Sequence, residues 1–501
     1  MRFDPLPVIE TGQLLKRTTS RCPVCHASCP AEVWRVAGQP AKVFLKRTCA
    51  EHGAASVCIA SDARFYWLAK ADPENGSSRC GGSACCASDG STAGTLGRNA
   101  DGRGDAPVEK LSTCLALIEI VNSCNLSCPT CYADSPPGIG QELDFVPLDD
   151  LQRRIQGVIN RKGGIEILQL SGGEPTLHPQ FFELVEWIQN NPGVDYVLLN
   201  TNGVRIARDD AFLAGLAAVV QRRNFQLYLQ FDGVQLEGQQ ALRGADLRTT
   251  RVRAIERCRE IHLPITLAMT VTPDNLPFLW ETIEFGLKFP HVRGVSFQPM
   301  FTSGRTPKTN AASDRGPAHE LEHPLAPSLA LPQSGGEGRG EGMAAAKNSR
   351  LNTADIILAA VEQSHGKLRF EDFTPLPCGD PNCATIGYLL KVGGAVRSIS
   401  DFIDFTRVQG FLRDKVRYRL EDLMKCGCDS EPLGELLRQF EMDESNTFRL
   451  FIKPFMDAWT WDEDRIDRCC THVIRPDGKL DSFCRYYSGF AGRQPADIKN
   501  Q

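Results

Sequence analysis

Three cysteines in the first half of the chain have a spacing suited to binding iron. Cys124, Cys128 and Cys131 follow the pattern C-x3-C-x2-C, and we call them the cysteine triad. Three thiolates at these intervals can ligate three irons of a [4Fe–4S] cubane and leave the fourth iron open for chemistry. A structural zinc site would need a fourth ligand nearby, and none follows Cys131 closely. The spacing therefore favours a reactive cluster.

A second motif, Gly172, Gly173, Glu174 and Pro175, ends the second predicted strand. The glycines would let the backbone approach a ligand closely, and Glu174 would supply a carboxylate for an ammonium group. Alone the motif is weak, because Gly–Gly turns after strands are common. Its position one strand after the cysteine triad strengthens it.

Further polar side chains fall at the ends of later predicted strands. Each could contact a cofactor or substrate, or could equally cap its strand. They are Gln230, Asp232, Thr270 and Gln298.

These motifs lie in a region where short β-branched runs alternate with amphipathic helices. Six βα units in series require a parallel sheet with right-handed crossovers, which closes naturally into a barrel with its site at the carboxyl ends of the strands. An open doubly wound sheet is the rival, and the motifs favour a partial (β/α)6 TIM-type barrel in the α/β class. The predicted strands are Leu115–Val121, Ile165–Leu170, Tyr196–Leu199, Phe225–Phe231, Ile265–Val271 and Val292–Gln298.

The triad and the Gly172–Pro175 motif together resemble the radical S-adenosylmethionine (SAM) superfamily. The resemblance implies that the open iron chelates SAM, that the second motif binds its amine, and that Asn200 and Asn202 contact it. It also implies cleavage of SAM to a 5′-deoxyadenosyl radical, which abstracts hydrogen from an unreactive C–H bond. Many members have an aromatic residue directly before the third cysteine, whereas this chain has Thr130 there and Tyr132 after it. No adenine contact is assigned.

Another cysteine group stands near the start of the chain. Cys22, Cys25, Cys49 and His52 have C-x2-C…C-x2-H spacing, which fits a tetrahedral site for one Fe or Zn ion. Cys58 or Cys29 could replace His52 as the fourth ligand. We expect a rubredoxin-like or zinc-ribbon knuckle that is structural or electron-relaying. Away from any metal, Cys58 and Cys258 are expected to be buried and inert.

The remaining cysteines suggest auxiliary [4Fe–4S] clusters, because clustered thiolates repel each other unless a metal neutralises them. The first set is Cys80, Cys85, Cys86 and Cys114, and the second is Cys378, Cys383, Cys469, Cys470 and Cys484. Of the adjacent pair Cys469 and Cys470, one cysteine is expected to bind no metal. Cys426 and Cys428 are assigned to neither set.

Composition shifts divide the chain into five parts. The first part contains a strand-like run from Glu32 to Leu45. The parts are a mononuclear metal domain (1–70), a linker with auxiliary-cluster cysteines (71–113), the core barrel (114–300), a disordered insertion (301–350) and a C-terminal iron–sulfur extension (351–501).

The wider pattern is similar to the subfamily of the archaeal tetraether lipid synthase, some members of which were earlier assigned as hydroxymethyl-dihydropterin methyltransferases. The similarity includes FMDAWT at residues 455–460 and Arg468 before two cysteines. It implies C–C bond formation between lipid alkyl chains. A methyltransferase with a pterin-type substrate, a peptide-modifying enzyme and an iron–sulfur electron carrier remain as alternatives. A pure carrier would need neither an open iron nor an ammonium site.

Composition excludes some partners. The 501 residues include 20 cysteines and carry a formal charge of −5, with no run of Lys or Arg. Nucleic acid is therefore not expected as a partner. Without an apolar leader, the cysteine-rich chain is expected in the reducing cytoplasm. Expected partners are a small-molecule or lipid substrate and an electron donor such as ferredoxin or flavodoxin, with peripheral membrane contact if the substrate is lipid.

The cysteine groups predict the metal content. Anaerobically purified protein should contain roughly 9–13 iron atoms per chain if three clusters and a mononuclear iron site are filled. Iron and acid-labile sulfide analysis measures this directly. Near four irons with no further sulfide would mean that the outlying cysteines bind zinc or no metal.

Overall fold

The protein was analysed as a computed structural model, which describes residues 12–68, 113–136, 142–222, 224–306, 350–376, 379–392, 395–401 and 446–489. The described strands form two sheets. Most of the predicted linker and insertion lies outside the described residues, as do six cysteines considered above: Cys80, Cys85, Cys86, Cys378, Cys426 and Cys428.

The smaller sheet is an antiparallel meander at the start of the chain. Alternate residues of its strands point inward and form a small core around Val33, Val43 and Leu45. The strand-like run from Glu32 to Leu45 is not one strand, because Gly38 and Pro40 break it into a turn between two strands. The strands are β1 (Gly12–Arg21), β2 (Ser28–Val36), β3 (Lys42–Cys49) and β4 (Gly53–Ala60).

The larger sheet contains the six predicted parallel strands, which pair in chain order. A doubly wound sheet would reverse its order partway, so this arrangement is that of a part-barrel. The elements are β5 (Leu115–Val121), α1 (Leu148–Lys162), β6 (Ile165–Gly172), α2 (Phe181–Gln189), β7 (Val194–Thr201), α3 (Val204–Arg208), α4 (Asp210–Gln221), β8 (Phe225–Gln230), α5 (Leu236–Arg243), α6 (Arg248–Glu260), β9 (Ile265–Val271), α7 (Leu279–Leu287) and β10 (Val292–Pro299).

The main core lies between the outer face of this sheet and its helices. Leu151, Ile155 and Val158 of α1 are fully buried against outward residues of β5 such as Ile118 and belong to one continuous apolar cluster. Burying each such side chain contributes about 1.5–3 kcal/mol, so the helical stripe decides which face of the sheet is covered. The inner face carries more polar residues and is left for the site.

The C-terminal extension pairs with both edges of the parallel sheet. Its elements are α8 (Thr353–Gln363), β11 (Phe373–Pro375), β12 (Thr385–Val392), β13 (Ala395–Ser398), β14 (Thr447–Ile452), α9 (Glu463–Asp467), β15 (Thr471–Ile474), β16 (Leu480–Ser482) and α10 (Phe483–Ser488). β14 runs parallel to β10, and β15 runs parallel to β5. The described strands form no closed barrel. Within the described ranges, no helix has the length and apolar character needed to cross a bilayer.

The N-terminal sheet is fastened to this extension by a buried arginine. Arg47 is 2% exposed and donates a hydrogen bond of 2.6 Å to the carbonyl of Ala458 and another to that of Trp459. Nearby, Lys16 forms an ion pair with Asp462 at 2.6 Å. Burial lowers the pKa of Arg47 to about 10, so the guanidinium remains charged near neutral pH.

Replacing this arginine should loosen the contact. Arg47→Ala would leave buried carbonyls without a donor, and we expect a loss of about 2–4 kcal/mol in the free energy of unfolding. Guanidinium unfolding under anaerobic conditions measures it. The adjacent Lys46→Ala removes a cation that lies over the Trp34 ring outside this contact, and it should cost under about 0.5 kcal/mol. Equal losses in both variants would contradict the assigned role.

Candidate active site

The loop that carries the cysteine triad follows β5 and is fastened at both ends. Near its start, the Ser123 hydroxyl accepts a hydrogen bond of 2.9 Å from the Asp144 amide. At its far end, Arg305 exchanges two backbone hydrogen bonds with Cys131, each 2.9 Å long. The Arg305 side chain also donates to the carbonyl of Cys128 at 2.9 Å. The loop is therefore held against the segment that follows β10.

All three triad residues line one cavity of about 160 Å³, which we call the triad cavity. Among the described residues, the N-terminal group is the one set of three or more potential ligands whose atoms all lie within 4.8 Å of one another, and the triad is not such a set. Burial raises the pKa of Cys124 to about 12 and also raises that of Cys128. Buried, spaced thiols fit a multi-iron cluster, whose positive charge stabilises thiolates.

The two glycines allow the end of β6 to pack directly on the triad loop. A Cβ at Gly172, where φ is +120°, would lie 2.1 Å from the carbonyl oxygen of Val121. One at Gly173 would lie 2.1 Å from that of Ser123. Sequence reasoning expected the glycines to admit a ligand. In the structure, the space that a side chain would fill at these two positions is taken by the backbone of the triad loop.

Glu174 is fully buried beside them. Its carboxylate accepts hydrogen bonds of 2.7 Å from the Thr176 and Thr201 hydroxyls and of 2.8 Å from the Asn202 amide. Burial raises its pKa, and these bonds oppose that rise. Pro175 is not among the residues that line the triad cavity, and its assignment with the ligand-binding residues stays a prediction. It begins a buried 3-10 turn, Pro175–Leu177, because its fixed φ suits a first helical position.

The other predicted cofactor contacts are brought together. Asp232, which was predicted to be either a ligand contact or a strand cap, is fully buried and is not among the residues that line the cavity. The predicted contacts that line the triad cavity are Gly172, Gly173, Glu174, Asn200, Asn202, Gln230, Thr270 and Gln298.

Arg243 is a cavity residue that sequence reasoning missed. It lies in the last turn of α5 and donates hydrogen bonds to Asp232 at 2.7 and 2.9 Å and to the Thr270 hydroxyl at 3.2 Å. Burial would raise the pKa of Asp232, but Arg243 and Arg251 hold it below its ordinary value. A charged guanidinium is thereby fixed at the cavity wall. No local pattern marks this arginine, since its partner is eleven positions earlier.

Tyr132 was also missed as a cavity residue, although its aromatic type beside Cys131 was a usable signal. Its hydroxyl lies 3.0 Å from the Ser171 hydroxyl, and its ring packs edge-on against Tyr487 with centroids 4.9 Å apart. Burial raises its pKa to about 12, so the phenol stays protonated. The ring separates the triad cavity from a second cavity.

This second cavity, of about 270 Å³, lies on the inner face of the sheet, and we call it the inner cavity. The extension supplies one of its walls through residues such as Ile386, Phe451 and Phe483. The two cavities share five lining residues, Tyr132, Asn200, Tyr228, Gln298 and Phe301.

The C-terminal cysteines gather beside the inner cavity. Cys383 and Cys470 line it, while Cys469 donates to the carbonyl of Thr471 at 3.1 Å. Burial, together with the neighbouring Cys484 and Cys470, raises the pKa of Cys383 to about 11. Cys114 is buried just before β5, and its expected partners lie outside the described residues. The auxiliary clusters remain predictions.

The N-terminal sheet brings together Cys22, Cys25, Cys49 and His52, whose ligand atoms lie within 4.8 Å of one another. The contact with His52 lowers the pKa of Cys49 to about 6, which favours the thiolate that a metal needs. Cys58 is outside this group, and burial raises its pKa to about 11. The donor set therefore fits one tetrahedral ion.

Parts of this chain are similar to known proteins. Residues 118–286 match the model of the Radical SAM superfamily, and residues 14–61 match the HMPTM N-terminal zinc ribbon domain. A 7,8-dihydro-6-hydroxymethylpterin dimethyltransferase of Methanocaldococcus jannaschii is 24% identical, covering 94% of this chain and 93% of the relative. A GTP 3′,8-cyclase of Vibrio cholerae is 28% identical, covering 41% of this chain and 67% of the relative.

Solved structures overlap less. SuiB of Streptococcus suis, crystallised with S-adenosylmethionine, is 16% identical and covers 39% of this chain and 43% of SuiB, with a TM-score of 0.33. That overlap is too small to support an assignment.

Removing one triad thiol should abolish SAM cleavage. Cys128→Ala leaves two thiolates, too few to hold a working cubane, and we expect 5′-deoxyadenosine formation to fall at least about 100-fold. The reconstituted variant is assayed by liquid chromatography under reducing, anaerobic conditions. Cys258→Ala removes a buried thiol from α6, far from the triad in the core, and should retain cleavage. Wild-type yield from Cys128→Ala would refute the assignment.

Proposed function

We propose that this chain is a radical SAM enzyme that activates a C–H bond of a small molecule bound in the inner cavity. The candidate substrate is a pterin-type ring, and the candidate reaction is methyl transfer. The cysteine triad would hold the [4Fe–4S] cluster. Together with SAM, the cluster supplies a one-electron cleavage that yields a hydrogen-abstracting carbon radical.

The shared wall of the two cavities is the observation that carries this proposal. Asn200, Tyr228 and Gln298 each line both cavities. A molecule in the inner cavity would therefore extend to the boundary of the triad cavity, where hydrogen abstraction is proposed. Such placement converts an encounter into an intramolecular step, which is worth several kcal/mol of the barrier.

The polar part of the inner lining suits a flat, hydrogen-bonding ring. Gln169 and Gln226 offer carboxamides, and Tyr196 and Tyr228 offer aromatic faces and hydroxyls. These groups are already ordered by bonds such as that from Gln298 to the Tyr228 hydroxyl at 2.6 Å. The names of two relatives mention a pterin and GTP, which are both fused-ring heterocycles.

The chain's own residues would bind, orient and exclude water. The fixed guanidinium of Arg243 is suited to the carboxylate of SAM. Phe301, Phe455 and Phe483 pack together, with centroids of 4.1 Å between the last two, and cover the interior from solvent. Exclusion of water protects a reactive carbon radical from side reactions.

Joining of lipid alkyl chains is the second candidate. The apolar part of the lining, including Leu117, Leu198, Ile386 and Phe451, favours it. In that case an alkyl chain would occupy the same cavity, and the polar groups above would lack partners.

A substrate comparison tests the proposal. Reconstituted enzyme with SAM and reductant is incubated with 7,8-dihydro-6-hydroxymethylpterin or with a dialkyl glycerol phospholipid. We expect the pterin to raise 5′-deoxyadenosine formation several-fold, because a correctly placed C–H bond traps the radical productively. We also expect it to gain methyl groups, detected by mass spectrometry, with a second SAM molecule as the methyl donor and the reductant as the source of the electron that completes the new bond. Stimulation and cross-linking of the phospholipid alone would refute the pterin assignment. Cys128→Ala controls for background chemistry.

A further inference from the structure

A buried group of three charges lies beside the cysteine triad. Asp232, which follows β8, forms ion pairs with Arg243 of α5 at 2.7 Å and with Arg251 of α6 at 3.4 Å. Burial lowers the pKa of Arg251 to about 10, so this guanidinium stays charged near neutral pH. Two cations around one carboxylate leave the group with one excess positive charge. Burying charge is costly, and a group that served packing alone could be replaced by apolar side chains.

The two arginines have different surroundings. The Arg251 guanidinium donates to the carbonyl of Phe231 at 2.8 Å and to the carboxamide of Gln239 at 2.6 Å, and it is not among the residues that line the triad cavity. Arg243 does line that cavity. Asp232 and Arg251 therefore hold the Arg243 guanidinium in place, and Arg243 presents the positive charge to the cavity.

Gly244 brings the end of α5 against the triad loop. It ends the helix with a φ of +72°, a left-handed conformation that glycine adopts without strain. A Cβ on Gly244 would lie 3.3 Å from Cδ of Pro129 and 3.7 Å from the carbonyl oxygen of Ser127. Pro129 and Ser127 flank Cys128 in the chain. The helix end, and with it Arg243, is therefore packed beside this one cysteine of the triad.

The Arg243 side chain interacts directly with the Cys128 thiol. Burial raises the pKa of Cys128, and the charge and hydrogen bonding of Arg243 oppose that rise. The carbonyl of Cys128 is itself fixed by the hydrogen bond of 2.9 Å from Arg305. Cys124 has a different neighbour, because its pKa is raised by burial and then by the charge of Glu174. The positive charge thus acts at one corner of the triad.

We propose that Arg243 is a positioning residue for electron uptake, which raises the reduction potential of the [4Fe–4S] cluster by holding a cation and an N–H donor against the Cys128 sulfur. Charge and hydrogen bonds at the ligand sulfurs are among the features that set iron–sulfur potentials. Reduction by an external one-electron donor adds negative charge, which a buried cation stabilises more than a solvated one. This inference rests on the proposed place of the cluster on the triad, and it does not depend on the substrate.

A redox titration of the reconstituted enzyme, followed by electron paramagnetic resonance, tests this role. The signal of the triad cluster is the one that Cys128→Ala lacks. The Arg243 guanidinium was also proposed to bind the SAM carboxylate, so the titration is made without SAM, where only its contact with Cys128 can act. In Arg243→Gln we expect the ratio of reduced to oxidised triad cluster at a fixed potential to fall at least tenfold, a shift of about 59 mV to more negative values for one electron.

Three further variants separate charge, fold and position. Arg243→Lys keeps the cation and should shift the potential less than Arg243→Gln. The double variant Asp232→Asn/Arg243→Gln leaves no unpaired carboxylate and should show the same shift as Arg243→Gln. Arg253→Gln removes an exposed cation from α6 and should leave the potential unchanged.

SAM cleavage at saturating SAM gives a second readout. Cleavage by Arg243→Gln should be slow with dithionite and should recover with the stronger reductant titanium(III) citrate, which a purely structural role would not produce. A wild-type potential in both Arg243→Gln and the double variant would overturn the inference, even if the affinity for SAM falls. If wild type shows no signal that Cys128→Ala lacks, the triad holds no cluster, and the proposed function fails as well.

Discussion

The buried carboxylate of Glu174 ties together the strand ends on which the triad cavity depends. A carboxylate removed from water costs several kcal/mol unless hydrogen bonds replace its hydration. Here the replacements come from Thr176, Thr201 and Asn202, so satisfying one charge joins the end of β6 to the end of β7. The adjoining glycines bring the same turn against the triad loop. Cavity geometry is thus a consequence of charge burial.

A second constraint, on the shape of the inner cavity, comes from the C-terminal extension. The inner cavity is bounded by β12, β14 and β15, which extend the parallel sheet at its two edges. The N-terminal sheet holds the C-terminal extension through Arg47, and Asp457 of the extension accepts a hydrogen bond of 2.9 Å from the Thr302 amide and forms an ion pair with Arg350. Parts of the chain that contain no triad cysteine therefore determine the shape of the inner cavity.

The elements that local interactions form could be predicted from the sequence, whereas those that depend on long-range contacts could not. The six parallel strands were predicted within two residues at each end, because β-branched apolar runs and helical stripes are local signals. Their shared carboxyl edge then brought the triad near Asn200, Gln230 and Gln298. The run from Glu32 to Leu45 was misassigned because turn residues outweigh the β propensity around them.

Pairing between strands that are distant in the sequence could not be predicted. Nothing local in β14 indicates that it will lie beside β10, and Arg243 joins the site only because Asp232 is buried next to it. The inner cavity followed from those pairings, so its lining could not be listed in advance. Sequence reasoning expected the C-terminal cysteines to form an extension of their own, and the structure adds the strands of this extension to the two edges of the parallel sheet.

The pairing of β14 with β10 and of β15 with β5 has a consequence for biosynthesis. Both edges of the parallel sheet pair with strands that the ribosome makes much later. At ordinary elongation rates, the delay between the synthesis of β10 and that of β14 and β15 is roughly 10–35 s. During that interval the concave face is open and two hydrogen-bonding edges are exposed. The nascent sheet therefore exposes two edges that are open to pairing with other chains until β14 and β15 are made.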